Sequence, residues 1–182
     1  MHAEQTPEKP ITVGNPLTRE DVSALLRERG WLGGEPNVGQ LAWCEHAVAV
    51  LGPQAADRAA LADLLSLVFQ YDARELLGKT ESHVVLSRYA ARDVLRQLAL
   101  LLLDGAPLTS ERFKEIVTAL KERLGLRGRE LFHPVRLALA GRAGEGELDR
   151  VILLLDEAAA LSFAHPVKSA RARILEFCAA LD

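Results

Sequence analysis

Cysteine is scarce in this sequence: Cys44 and Cys178 are the only two, far apart and in no CxxC pair. Two thiols cannot staple a chain of 182 residues, which excludes a disulfide scaffold and points to a reducing compartment. Aromatic residues are sparse too, 5% of the chain. The apolar content is mostly Leu, Ala and Val, which favours helices. Long apolar runs are missing. Leu98–Leu103 is the longest and falls far short of the roughly 20 residues that span a bilayer. The N-terminal MHAEQTPEKP lacks the apolar centre of a secretory signal. A soluble, cytoplasmic protein with no membrane contact is expected. An excess of positive charge is also absent, with a net charge of −3 and a pI near 6.0. Nucleic-acid binding, if there is any, must therefore rest on a local patch.

Sustained period-two alternation is missing, so no strand is expected, and the fold class reads as all-α, a compact multi-helix bundle. Residues 1–16 hold three prolines and read as a loose tail. Thr18 and Asp21 form a capping-box variant at the head of a helix that buries Val22, Leu25 and Leu26 and stops at Gly30. Further helices are predicted over Gln40–Leu51, Gln54–Gln70 and Asp72–Leu77, the second of these with Leu61, Leu64, Leu65 and Val68 inward. Glu81–Leu103 is the longest periodic stretch, with Val84, Val85, Val94, Leu95 and Leu98 inward. Thr109 or Ser110 caps the next helix, whose stripe is Phe113, Ile116, Val117, Leu120 and Leu124 and whose terminator is Gly125. Pro134 fits the first turn of a short helix ending at Gly141, Glu147–Leu161 makes another, and Pro166 opens the last. Gly78 marks a seam between an N-terminal subdomain, 17–77, and a C-terminal one, 78–182.

Catalytic signatures are absent. LLGKTES holds a GKT without the earlier glycine and strand of a phosphate loop. Cys44 and His46 have no second pair at zinc spacing, and Cys44 reads as buried beside a solvent-facing His46. His133 and His165 each precede a proline and have no nucleophile or carboxylate partner in sequence. No catalytic residue, metal site or cofactor is assigned, and the chain alone is not read as an enzyme.

One corner does concentrate charge. From Lys121 to Arg142 there are six Lys or Arg, at 121, 123, 127, 129, 136 and 142, against Glu122 and Glu130, a local +4 in a chain of net −3. Cations around a helix C-terminus are favoured by the dipole in any case, and Arg136 could pair with a carboxylate such as Glu130 to pin two helices. The same patch suits unpaired RNA, whose bases are held by Arg planes and edge hydrogen bonds. The glycine-rich GRAGEG lets backbone N–H groups come close to a loop, with Arg142 at its entrance.

Leu108–Leu161, with GLRGRELFHPVRLALAG, GEGEL and VILLLDEAAAL, resembles the C-terminal anticodon-binding region of bacterial glutamyl-tRNA synthetase. The likeness extends weakly upstream through DARELL and is only suggestive before Asp72. It implies a helical domain that receives a tRNA anticodon loop, with tRNA-Glu as the candidate. It places the base-contacting arginine on Arg136 and the contacting turn on Glu145, Gly146, Glu147 and Leu148, while Lys121, Arg127, Arg129 and Arg142 would meet phosphates. The ATP-holding motifs and the Rossmann units of a class I synthetase have no counterpart, so the chain looks like an anticodon module without its catalytic half. Where the family has threonine and proline, this sequence has Ala140 and Gly146. Two alternatives follow: a helical protein-interaction domain that has lost RNA binding, anchored by exposed Trp31 or Trp43, or a truncated glutamyl-tRNA synthetase that lacks its catalytic half.

Overall fold

The computed structural model describes residues 16–182. Among them are eleven α-helices, one 3-10 turn at Gly52–Gln54 and no strand. Helix α1, Arg19–Glu28, starts at the expected capping box: the Thr18 side chain takes the Asp21 N–H, and the Asp21 carboxylate takes the Thr18 N–H at 2.7 Å. Helix α2, Val38–Leu51, is capped in the same way by Asn37 and Gln40. Helix α3, Arg58–Phe69, is capped by Asp57, and the short α4, Ala73–Leu77, by Asp72. The residues expected to lead into α3 from Gln54 instead form the end of the 3-10 turn and a bend.

The expected long helix over Glu81–Leu103 is two helices, α5 at Thr80–Leu86 and α6 at Ala91–Leu102. The cause is a slip in the phase of the apolar stripe. Carried back at helical spacing, Leu98, Leu95, Val94 and Ala91 would bury Val84, but the buried residues of α5 are Ser82 and Val85, and Val84 is 51% exposed. The chain resets its phase at Ala90, with φ +66°.

Helix α7, Ser110–Leu124, is capped by Thr109 and ends at Gly125, whose φ of +65° favours glycine. Helix α8 runs Arg129–Ala140, so Pro134 sits at its sixth position and not in its first turn. Its start is set instead by Gly128, at φ +62° and ψ −144°, a region open almost only to glycine. The carbonyl of Glu130 loses its helical partner to Pro134, and Glu130 is exposed, so water can take its place.

The expected Glu147–Leu161 helix is also divided, into α9 at Glu147–Ile152 and α10 at Leu155–Ala159. At the break the indole N–H of Trp43 donates to the carbonyl of Leu154, 3.2 Å away. The last helix, α11, runs Ala170–Leu181 and is capped by Ser169, leaving Pro166 in the preceding loop.

One apolar cluster runs through both halves of the sequence, from Val22 to Phe177. Helix α8 packs on α6, α9 and α11, while α2 and α3 reach α9. An aromatic knot ties the N-terminal helices to the 160s segment. Trp31 stacks on Phe69 at 4.8 Å, and Trp43 meets Phe69 and Phe163 edge-on at 5.6 and 5.3 Å. Both tryptophans are buried, which removes them as surface anchors.

Asp156 on α10 joins the loops before α7 and α11. Its carboxylate accepts the N–H of Leu108 at 2.7 Å and that of Ala170 at 2.9 Å. Both donors belong to buried residues. Asp156→Ala leaves the two N–H groups unpaired and is expected to lower stability by about 2 kcal/mol. The check is a denaturant melt whose midpoint falls while its slope stays unchanged.

Candidate functional site

One stripe of α8 runs from exposed Arg129 through half-buried Phe132 and His133 to buried Arg136, on a single helix face. Neighbouring elements add charge around it. From α7, the Lys121 ammonium lies 5.8 Å from the centre of the Phe132 ring, and the Arg136 guanidinium lies over the same ring at 4.7 Å. From the joint between α5 and α6, Arg88 Nη1 is 2.7 Å from His133 Nδ1. Arginine only donates, so Nδ1 accepts and the imidazole proton sits on Nε2. Burial first, then the Arg88 and Arg129 charges, holds the His133 pKa below its ordinary value, so this ring is neutral at pH 7.

Arg136 is buried, with 8% of its surface exposed. Its Nε and Nη2 donate to the two carboxylate oxygens of Asp149 at 2.9 and 3.0 Å, and its Nη1 donates to the carbonyl of Gly144 at 3.0 Å. The bidentate fork thus joins α8 to the first turn of α9 and holds the intervening loop by its backbone. The carboxylate suggested from sequence was Glu130, but that residue lies exposed in the first turn of α8 while Asp149 is the partner.

The other candidate residues separate into three groups. Lys121, Arg127 and Arg129 are exposed at the α7–α8 end, and Arg129 faces Glu145 across the loop at 3.9 Å. Arg127 has no ion pair among the described residues. Arg142 is turned to α3, where it lies 3.6 Å from Asp63, and it borders a polar cavity of about 540 Å³ with Asp72, Glu75, Lys79 and His165. In the turn itself Glu145 and Gly146 are exposed, Glu147 is half-buried, and Leu148 points into the core. A side chain at Gly146 would meet open space, so its glycine is not demanded by packing. Glu81 Oε1 accepts the N–H of Ala143 at 3.1 Å and steadies the loop from α5. Arg88 and Asp149 were not legible in the sequence: Arg88 lies outside the charged corner, and Asp149 lies just past the Glu145–Leu148 turn, with nothing local to mark it as the partner of Arg136.

No group of three His, Cys, Asp or Glu side chains among the described residues is placed to hold a metal ion. Cys44 is buried, and burial pushes its thiol pKa up to about 11, so the thiolate needed for nucleophilic or ligand chemistry is disfavoured. No described helix is long and apolar enough to cross a membrane.

Comparison with known proteins adds the family. The anticodon binding domain matches residues 21–162, most of the chain. The protein belongs to the anticodon-binding-domain family. The match reaches back through α1–α3, well before the Asp72 limit of the visible motifs. The chain is 30% identical to glutamate–tRNA ligase 2 of Syntrophus aciditrophicus over 69% of its own length and 25% of that protein. It is 28% identical to the glutamate–tRNA ligase of Exiguobacterium sibiricum over 72% of its length and 27% of that protein. It is 30% identical to that of Desulforudis audaxviator over 74% and 27%. The chain thus spans about a quarter of the length of the curated relatives it matches. No solved structure matches it. The turn Glu145–Leu148, singled out in the sequence, lies at the α8–α9 corner beside Arg129.

Proposed function

We propose that this domain binds the anticodon arm of a tRNA, with tRNA-Glu as the first candidate, and carries out no covalent chemistry of its own. The observation that carries the reading is the α8 stripe: Arg129, His133 and the Phe132–Arg136 stack on one helix face, flanked by Lys121 and Arg88, within a family of anticodon-binding domains. RNA phosphates need fixed positive charge, and unpaired bases need planar groups and backbone hydrogen bonds. Arg129 at the exposed end of the stripe, with Lys121, Arg127 and Arg88 around it, offers the first, and the loop from Ala143 to Gly146, fastened by Arg136, offers the second. In this reading Lys121, Arg127, Arg129 and Arg88 meet phosphates, while Arg136 positions the loop against which bases sit. Arg142, paired with Asp63, stays on the α3 side. The positive end of α8 begins at Arg129 and adds to the same field.

The test is titration of a tRNA-Glu anticodon stem-loop, and of the same hairpin with a substituted anticodon, across a salt series. With four cations engaged, log Kd should rise against log salt with a slope near 3. Affinity should therefore fall roughly fifty-fold between 50 and 200 mM salt. The native loop should bind more tightly than the substituted one. Absence of binding at 50 mM salt overturns the proposal.

A further inference from the structure

Tyr89 is the most exposed of the large apolar side chains among the described residues, at 94%. An isolated exposed apolar side chain is ordinary, so exposure alone says little. Its mounting is what is unusual. Arg88, immediately before it, is half-buried and fastened to His133 at the centre of the α8 stripe. Ala90, immediately after it, is the only non-glycine residue with positive φ among the described residues, a conformation disfavoured by its Cβ. Tyr89 is therefore held between an anchored side chain and a fixed backbone corner. The chain around it reads Ser87, Arg88, Tyr89, Ala90, Ala91, Arg92. Tyr89 has an arginine on either side of it in sequence and is not packed on the apolar cluster, so it is not mounted as a core residue. It matches the combination that grips single strands, a stacking ring beside phosphate-binding charge.

We infer that Tyr89 is a stacking platform for an unpaired RNA base, so that the RNA surface extends from the α8 stripe onto the joint between α5 and α6. The inference rests on the reading above, in that the RNA arrives at the α8 stripe. It adds a contact that lies outside both the charged corner and the family motif. Arg88 then has two tasks: its hydrogen bond to His133 fixes the joint, and its charge faces the phosphate of the stacked nucleotide. Groups facing His133 from each side are Arg88 of the joint, Arg129 and Arg136 of α8, and Glu145 of the α8–α9 loop.

The experiment compares wild type with Tyr89→Ala, Tyr89→Phe and Arg129→Gln on the anticodon stem-loop, with 2-aminopurine placed in turn at each loop position. A blunt duplex of the stem serves as the control. Tyr89→Ala should weaken stem-loop binding about tenfold, abolish the quenching at one loop position and leave both the salt slope and duplex binding unchanged. Tyr89→Phe should keep the quenching, since a phenyl ring stacks as well. Arg129→Gln should lower the salt slope by about one and keep the quenching. Circular dichroism of each variant should overlay wild type, because both side chains are exposed. If wild type binds the stem-loop but Tyr89→Ala binds within twofold of it with quenching unchanged, stacking by Tyr89 is overturned while the α8 reading stands. If wild type fails to bind at 50 mM salt, both fall together.

Discussion

Arg173→Met will cost this domain about 4 kcal/mol of stability, which for a chain of this size lowers the melting temperature by roughly 10 °C. Arg173 is fully buried, yet no carboxylate among the described residues pairs with it. Its guanidinium instead donates to four backbone carbonyls. Nε reaches Lys168 at 3.0 Å, Nη1 reaches Leu67 at 2.9 Å and Leu139 at 3.0 Å, and Nη2 reaches Val68 at 2.6 Å. Leu67 and Val68 lie in the last turn of α3, and Leu139 in the last turn of α8, where helices leave carbonyls without partners. The negative ends of two helix dipoles thus converge on one cation. Burial draws the Arg173 pKa down to about 10, opposed by Tyr71, Glu176 and Asp156, so the group stays charged at pH 7. Tyr71 closes the site: its ring lies 4.7 Å from the guanidinium, and its hydroxyl donates to the Ala138 carbonyl at 2.6 Å. Methionine fills much of the volume but satisfies none of the carbonyls. Arg173→Lys should recover only part of the loss, because an ammonium has three donors and cannot span the four acceptors. Thermal melts of wild type and the two variants decide it, and a shift under 2 °C for the methionine variant would show that the carbonyls find other partners.

Arg173 also shows where sequence reading stops. SARARIL looks like a helix with arginines on its solvent side, and three of the four acceptors of Arg173, on Leu67, Val68 and Leu139, are 34 to 106 positions away in the chain. Local chemistry was legible: the Thr18–Asp21 box, the Thr109 cap and the Gly125 stop all stand where capping rules put them. The phase slip at Arg88–Ala90 was present in the sequence, since Val84 and Val85 cannot both share the stripe of Val94 and Leu98, but a continuous run of helix-tolerant residues hid it. Pro134 misled for a related reason. A proline is easiest at the head of a helix, but Gly128 offered a stronger start signal six positions earlier. Family likeness was visible at the α7–α9 corner because glycines and charges are specific there. In α1–α3 the constraint is apolar volume, which many sequences satisfy, so the family match from residue 21 onward could not be seen by eye.

The second large effect is expected at the Arg136–Asp149 fork. Arg136→Ala or Asp149→Ala should each lower stability by about 2 kcal/mol, since the pair is mostly shielded, with 10% and 24% of the two side chains exposed. The double variant should lose little more than either single one, because the first substitution already breaks the shared contact. Under the proposed function the same variants should weaken stem-loop binding about tenfold, equivalent to 1.4 kcal/mol. Two conservative changes separate the possible roles of Arg136. If its guanidinium touches a base directly, Asp149→Asn leaves the arginine in place with one partner weakened, so affinity holds while Arg136→Lys loses it. If Arg136 acts by holding Gly144 and α9 in register, Asp149→Asn and Arg136→Lys fall together, since neither keeps the two parallel charged bonds. The geometry favours the second outcome. Nε, Nη1 and Nη2 of the guanidinium are all committed within the protein, and one of its faces is covered by Phe132. A base arriving at this corner would therefore meet the loop that Arg136 has shaped, with Gly146 open at its tip and Glu145 drawn aside towards Arg129.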